Sequence, residues 1–130
     1  MNKKPERLLI VDDEEDMGEI VAEIARELDV DPVVVTTAED CLQELEKGPV
    51  MGIFLDLVMP GMDGIELVKG LTGRESSAPI CLMTGYDRSY MKMTSEIAAV
   101  LGADVIGRLS KPLDLASVET LIKEMRAAAT

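Results

Sequence analysis

The segment LLIVDDEED, Leu8 to Asp16, decides how this chain is read. Four aliphatic residues run without a break and then give way to five acids. An uninterrupted apolar run marks a strand covered on both faces, as in a parallel sheet. The acids that end it repel one another. The segment is therefore either a solvated helix start or a pocket built to hold a cation.

Four further runs have the same character: Val33–Val35, Met51–Leu55, Ile80–Met83 and Val105–Leu109. A helix-period stripe follows each of the five. The first is Met17, Ile20, Val21, Ile24 and Leu28. The second is Ala38, Cys41, Leu42 and Leu45, with Thr37 as its N-cap and Gly48-Pro49 as its stop. The third is Ile65, Val68 and Leu71, and the fourth Met93, Ile97, Val100 and Leu101, ending at Gly102. The fifth starts near Asp114 and uses Leu115, Val118, Leu121, Ile122 and Met125. Five βα units in 130 residues predict an α/β doubly wound parallel sheet with one core. No internal boundary divides residues 1–130, which are expected to form a single domain.

Composition narrows the function. Thirteen Lys and Arg against 25 Asp and Glu leave a net charge of −12. That balance argues against direct nucleic-acid or anionic-membrane binding and permits cation binding. With no histidine, imidazole catalysis and histidine metal ligands are excluded. Phe54, Tyr86 and Tyr90 are the only aromatics, so the core is aliphatic, with most of the nine methionines as filler. Cys41 and Cys81 lack any metal or redox spacing and read as buried, reduced thiols. Neither a signal peptide nor a transmembrane segment is discernible, which predicts a soluble, cytoplasmic protein.

Ligands of open parallel sheets bind beyond the carboxyl ends of the strands. There the sequence puts Asp12 and Asp13 after the first run, Asp56 after the third, Thr84-Gly85 after the fourth and Lys111-Pro112 after the fifth. Singly, each has a plain structural reading: helix caps, a turn, a loop. Asp56 is the hardest to dismiss, because a carboxylate ending a buried strand must find partners or bear a desolvation penalty. Together at four strand ends they read as one site. Clustered carboxylates without nitrogen or sulfur donors suit Mg2+ rather than zinc. A carboxylate can also attack phosphorus, with Lys111, the Thr84 hydroxyl and a cation balancing the charge that develops. Glu14, Glu15 and Asp16 are left as a solvated helix start.

The stretches LLIVDDEED, LDLVMPGMDG, MTGY and LSKP, in this order and spacing, resemble the receiver domain of two-component response regulators. The resemblance spans nearly the whole chain. It implies a flavodoxin-like (βα)5 fold with strand order 2-1-3-4-5. It implies Asp56 as phosphoacceptor, and Asp12, Asp13, Asp56 and the Val58 carbonyl as Mg2+ ligands. Thr84 would be the hydroxyl that moves toward the phosphoryl group and Lys111 its counter-charge. Pro60 and Gly64 fit the family's turn, and the Lys111–Pro112 bond is implied to be cis. Partners would be a histidine kinase or histidine phosphotransferase and a downstream output protein or domain, with homodimerisation open. Such a domain catalyses its own phosphoryl transfer and hydrolysis without being a turnover enzyme. It would signal through the face of the fourth strand, fourth helix and fifth strand. Val58 and Tyr86 occupy positions that influence attack by water in this family.

The chain departs from the family at Arg108, where an aromatic three residues before the lysine is usual, which leaves Tyr86 or Tyr90 to couple Thr84 to the surface. The stretch from Thr84 to Lys111 is also longer than the family norm. Two other readings stay open. A haloacid-dehalogenase-like phosphatase needs a second aspartate two residues after the nucleophile, where Val58 stands. A phosphorylation-independent interaction scaffold is kept alive by Arg108. An EF-hand lacks its loop, and Asp29 and Asp31 read as a helix exit.

Overall fold

The computed structural model describes residues 6–59, 62–72, 78–85 and 88–129, of which 58, 59, 62–65, 72 and 88–90 are described by backbone alone. Five strands form the sheet: β1 (Arg7–Val11), β2 (Asp31–Val35), β3 (Gly52–Asp56), β4 (Ile80–Thr84) and β5 (Val105–Ser110). Five helices alternate with them: α1 (Glu15–Glu27), α2 (Ala38–Glu46), α3 (Gly64–Thr72), α4 (Arg88–Val100) and α5 (Leu115–Ala128). The strands are all parallel and ordered 2-1-3-4-5, the doubly wound arrangement expected. A two-residue antiparallel ribbon, Val58–Met59 with Met62–Asp63, follows β3 and was not foreseen.

The runs of β1, β3 and β4 are strands buried on both faces, whereas β2 and β5 at the two edges are only partly buried. Leu8, Ile10, Phe54, Cys81 and Met83 point to one side, where Val21, Ala22, Ala25, Val118, Ile122 and Met125 of α1 and α5 meet them. Leu9, Val11, Leu55 and Leu82 point to the other, against Cys41, Val68, Leu71, Met91 and Ala98 of α2, α3 and α4. Period-2 alternation thus divides one continuous run between two cores. Cys41 and Cys81 are buried and outside any disulfide, as expected, and they belong to opposite cores. Burial without a charged neighbour pushes the Cys81 thiol up to about 12.

Local signals were obeyed closely. Thr37 Oγ1 accepts from the Asp40 amide at 3.1 Å and caps α2. Asp29 takes φ +60° just after α1, with Asp29 N–H donating to Arg26 O and Val30 N–H to Ala25 O. These two bonds close a Schellman turn. Gly102, at φ +86°, ends α4 in the same way, through Gly102 N–H to Ala99 O and Ala103 N–H to Ala98 O.

Helix α4 presents a different face from the one its large apolar residues predict, and α1 keeps Val21, Ile24 and Leu28 against the core but departs from its stripe at Ile20. In α1 the buried residues are Gly18, Val21, Ala22 and Ala25, whereas Ile20 is exposed. A side chain at Gly18 would press within 2.8 Å of Val34 Cγ1. At Gly18 the helix lies so close to the sheet that a side chain does not fit. In α4 the buried residues are Met91, Thr94, Ser95 and Ala98, while Met93, Val100 and Leu101 face solvent. Again the smaller face is the inner one, and two hydroxyls go in with it. Leu115, expected in the core, is also exposed, in the first turn of α5. Of the α3 stripe, Val68 and Leu71 are buried, joined by Leu67. The Ile65 side chain, Pro60, Tyr86 and the Tyr90 side chain lie outside the described residues.

Among the described residues the hydroxyls of Thr94 and Ser95 have no hydrogen-bond partner. A buried donor left unpaired costs roughly 1–3 kcal/mol, and an isosteric apolar group removes the cost. Thr94→Val is therefore expected to stabilise the protein by about 1 kcal/mol. The check is a raised urea midpoint at unchanged slope; a lowered midpoint would show the hydroxyl to be paired in solution.

Candidate functional site

The sheet brings Asp12, Asp56, Thr84 and Lys111 together because four neighbouring parallel strands end at one edge. Asp12 follows β1, and its N–H donates to Val35 O on β2 at 3.1 Å. Asp56 is the last residue of β3, aligned with Met83 on β4. Thr84 ends β4, and its carbonyl accepts the Lys111 N–H at 2.8 Å, which holds the end of β5 in register. The peptide bond between Lys111 and Pro112 is cis.

Lys111 is the hub. Its Nζ lies 2.8 Å from Asp12 Oδ2 and 3.2 Å from Asp56 Oδ2. Asp12 and Asp56 are 1% and 3% exposed, and a carboxylate buried so deeply needs such a partner to offset its lost hydration. Burial by itself would lower the lysine's affinity for its proton. The hydrogen bond to Asp12 and the charges of Asp56 and Asp12 outweigh it, and the ammonium titrates above its ordinary 10.5. Asp12 serves two purposes: Oδ1 accepts the Glu14 amide at 2.9 Å, organising the entry to α1. The N-cap of that helix is Glu14, which makes no side-chain cap. Glu14, Glu15 and Asp16 are exposed, the solvated start expected of them.

Asp13 is exposed beside this pair, and carboxylate oxygens of Asp12, Asp13 and Asp56 lie within 4.8 Å of one another. Two oxygens on opposite sides of a small octahedral cation stand about 4.2 Å apart, at about 2.1 Å each from the ion. Modest side-chain rotation closes the difference. The donor set is oxygen alone, which fits a hard divalent cation. Thr84 is buried at the same rim, 2% exposed. Only the backbone of Val58 is described, in the ribbon just beyond Asp56. The sequence did not disclose that Lys111 spans two carboxylates. The available signal was the excess of acids over cations at the four strand ends.

The response regulator receiver domain family matches residues 8–123, and the chain belongs to that family. The sensory transduction protein RegX3 of Mycobacterium tuberculosis is 33% identical over 120 residues, covering 92% of this chain and 49% of RegX3. The alkaline phosphatase synthesis transcriptional regulatory protein PhoP of Bacillus subtilis is 30% identical over 123 residues, covering 95% of this chain and 48% of PhoP. The chain therefore spans about half the length of these relatives. In fold it is similar to a CheY-like receiver domain of Methanospirillum hungatei, with TM-score 0.82, 23% identity and 96% of each chain covered. Receiver domains are phosphoacceptors of two-component signalling, generally bind Mg2+ at an acidic cluster, and interact with histidine kinases and output domains. The acidic pocket of Asp12, Asp13 and Asp56 fits such a site. Among the described residues no helix is long and apolar enough to cross a membrane.

Three carboxylates and one ammonium leave the pocket short of positive charge. Replacing exposed Asp13 by Asn should stabilise the magnesium-free protein by about 1 kcal/mol, the repulsion of two such charges in a largely aqueous setting. Wild type should gain roughly 1.4 kcal/mol from Mg2+ at about ten times its Kd, and Asp13→Asn less at the same concentration. Thermal unfolding with and without Mg2+ measures both; equal gains would remove Asp13 from the ligand set.

Proposed function

We propose that the chain receives a phosphoryl group on Asp56 from a histidine kinase or histidine phosphotransferase, in a reaction that depends on Mg2+. The observation that carries this reading is the buried carboxylate of Asp56 held by Lys111 Nζ at 3.2 Å beside Asp12. The ion pair holds the carboxylate in one orientation, and a carboxylate oxygen so held can act as a nucleophile toward phosphorus. An oxygen of Asp56 forms a bond to phosphorus as the bond to the donor's leaving group breaks. The acyl phosphate that results carries charge where Asp56 had one, and the Lys111 ammonium already lies beside it. The Thr84 hydroxyl at the neighbouring strand end is suited to donate to a phosphoryl oxygen. Asp12, Asp13, Asp56 and the Val58 carbonyl are the candidate ligands of Mg2+, which when bound supplies positive charge for the transferring oxygens.

The readout proposed for the phosphorylated state is a change on the face of β4, α4 and β5, passed to an output protein or domain. The domain is proposed to comprise residues 1–130 and to act by protein contact inside the cell, with no turnover of an external substrate. Exposed Met93 and Val100 on α4, and Leu101 just after it, give that face apolar character.

Intact mass after incubation with acetyl phosphate tests the core of this reading. One Mg2+-dependent phosphoryl adduct is expected on wild type and none on Asp56→Asn. A folded wild type that takes up no phosphoryl group would instead favour a constitutive binding scaffold. Dephosphorylation speaks to Val58, whose apolar side chain is expected to keep water from the acyl phosphate. Val58→Asn should shorten the lifetime of the adduct, followed by mass at intervals after the donor is removed; an unchanged lifetime excludes that role.

A further inference from the structure

Helix α4 rests on β4, β5 and α3 with little to hold it there. The side chains it turns inward are Met91, Thr94, Ser95 and Ala98. Two of these four carry buried hydroxyls with no hydrogen-bond partner among the described residues, and a third is an alanine. The large apolar groups Met93 and Val100 are 46% and 86% exposed, so they contribute little to the seat. In α5, by contrast, the buried residues are Val118, Leu121, Ile122 and Met125, each a large apolar side chain.

Polar ties between elements show the same contrast. Arg7 of β1 donates to Glu44 O and Gly48 O and so fastens the end of α2. Arg126 of α5 donates to Leu28 O just after α1. Among the described residues no side chain of α4 makes a hydrogen bond or ion pair with another element. The exit turn of α4 is closed within its own segment, by Gly102 N–H to Ala99 O and Ala103 N–H to Ala98 O. The helix therefore keeps its backbone hydrogen bonds when it leaves the sheet. The first tie beyond that turn is the Asp104 carbonyl, which accepts the Ile80 N–H at 2.7 Å and fixes the start of β5.

We propose that residues 91–103 open from the sheet as one unit, far more often than the whole chain unfolds, and that Thr94 and Ser95 set how often. Opening takes both hydroxyls into water, where they find partners, and uncovers little apolar surface beyond what α4 already exposes. The opening needs no phosphoryl group. Only its use rests on the readout proposed above for the face of β4, α4 and β5, since a helix so lightly seated is repositioned by a small change at the strand ends.

Amide hydrogen exchange of the whole chain, followed by NMR at urea concentrations below the unfolding midpoint, tests this. The α4 amides should share one opening, exchanging at least about tenfold faster than those of β1 and β3 and with a weaker dependence on urea. Thr94→Val combined with Ser95→Ala should slow that shared opening roughly tenfold or more. Ile122→Val, in the core on the other side of the sheet, should speed exchange in β1 and β3 and leave the α4 opening as it was. Three results would each overturn the proposal. One is α4 exchanging together with β1 and β3 at a single urea dependence. Another is a shared opening that the double variant does not slow. The third is an opening that Ile122→Val speeds as much as it speeds the strands. Should the double variant not fold, Ser95→Ala alone is read in the same way. No phosphodonor is present, so failure of the phosphoacceptor reading leaves the result untouched.

Discussion

Three carboxylates gathered at one edge of a sheet repel one another, and the arrangement of this molecule answers that repulsion. Two unit charges about 4 Å apart cost about 1 kcal/mol in water and several times more where water is partly excluded. Asp12 and Asp56 are nearly fully buried, so the larger figure governs them. The ammonium of Lys111 lies between the two, and its place depends on the register of β5 against β4. That register is closed by the Lys111 N–H on Thr84 O. Shift the strand by one residue and the side chain leaves the pocket, because successive residues alternate faces. The electrostatics of the site and the hydrogen bonding of the sheet are thus one constraint.

The sheet meets that constraint by being parallel and buried on both faces. Parallel strands ending at a common level are what put Asp12, Asp56 and Thr84 within reach of one another. The same burial leaves little space between sheet and helices. Gly18, Ala22 and Ala25 beneath α1 are one consequence, and Gly52 beneath Met125 of α5 is another, since a side chain there would run into the Met125 sulfur. Small residues at these positions set how near the helices can lie, and through that how thin the two cores are.

The strands and the site were legible in the sequence for the same reason. A strand buried on both faces has no polar residue to spare, so Asp12 and Asp56 stand out as the first charges at the ends of β1 and β3, while Lys111 is marked by its place at the end of the fifth run. Thr37 and Gly102 were legible because capping and left-handed exit depend on neighbours in sequence. The inner face of α4 was not, nor the exposure of Ile20 on α1. Periodicity follows large apolar side chains, such as Ile20, Met93 and Val100, but close packing selected small ones, Gly18, Ala22, Thr94 and Ala98. The double contact of Lys111 was hidden because its partners lie 99 and 55 positions away in the chain, and only the sheet brings them close.

Arg108 bears on how events at Asp56 can be felt elsewhere. It stands two residues before Ser110, which pairs with Thr84 across the β4–β5 ladder. A small aromatic-sized group at this point can swing between surface and interior at modest cost. A guanidinium cannot, because an unpaired charge taken into the core costs several kcal/mol. The side chain is accordingly held outside, while Lys111, three positions on, is drawn in by Asp12 and Asp56. One strand therefore carries one cation on its outer side and another at its inner end. Any displacement of the Lys111 main chain acts on β5, which it directly follows and which carries Arg108, and on β4 through the Thr84 carbonyl that accepts its N–H. Communication along β5 is then a movement of main chain, which needs no buried rotamer to change.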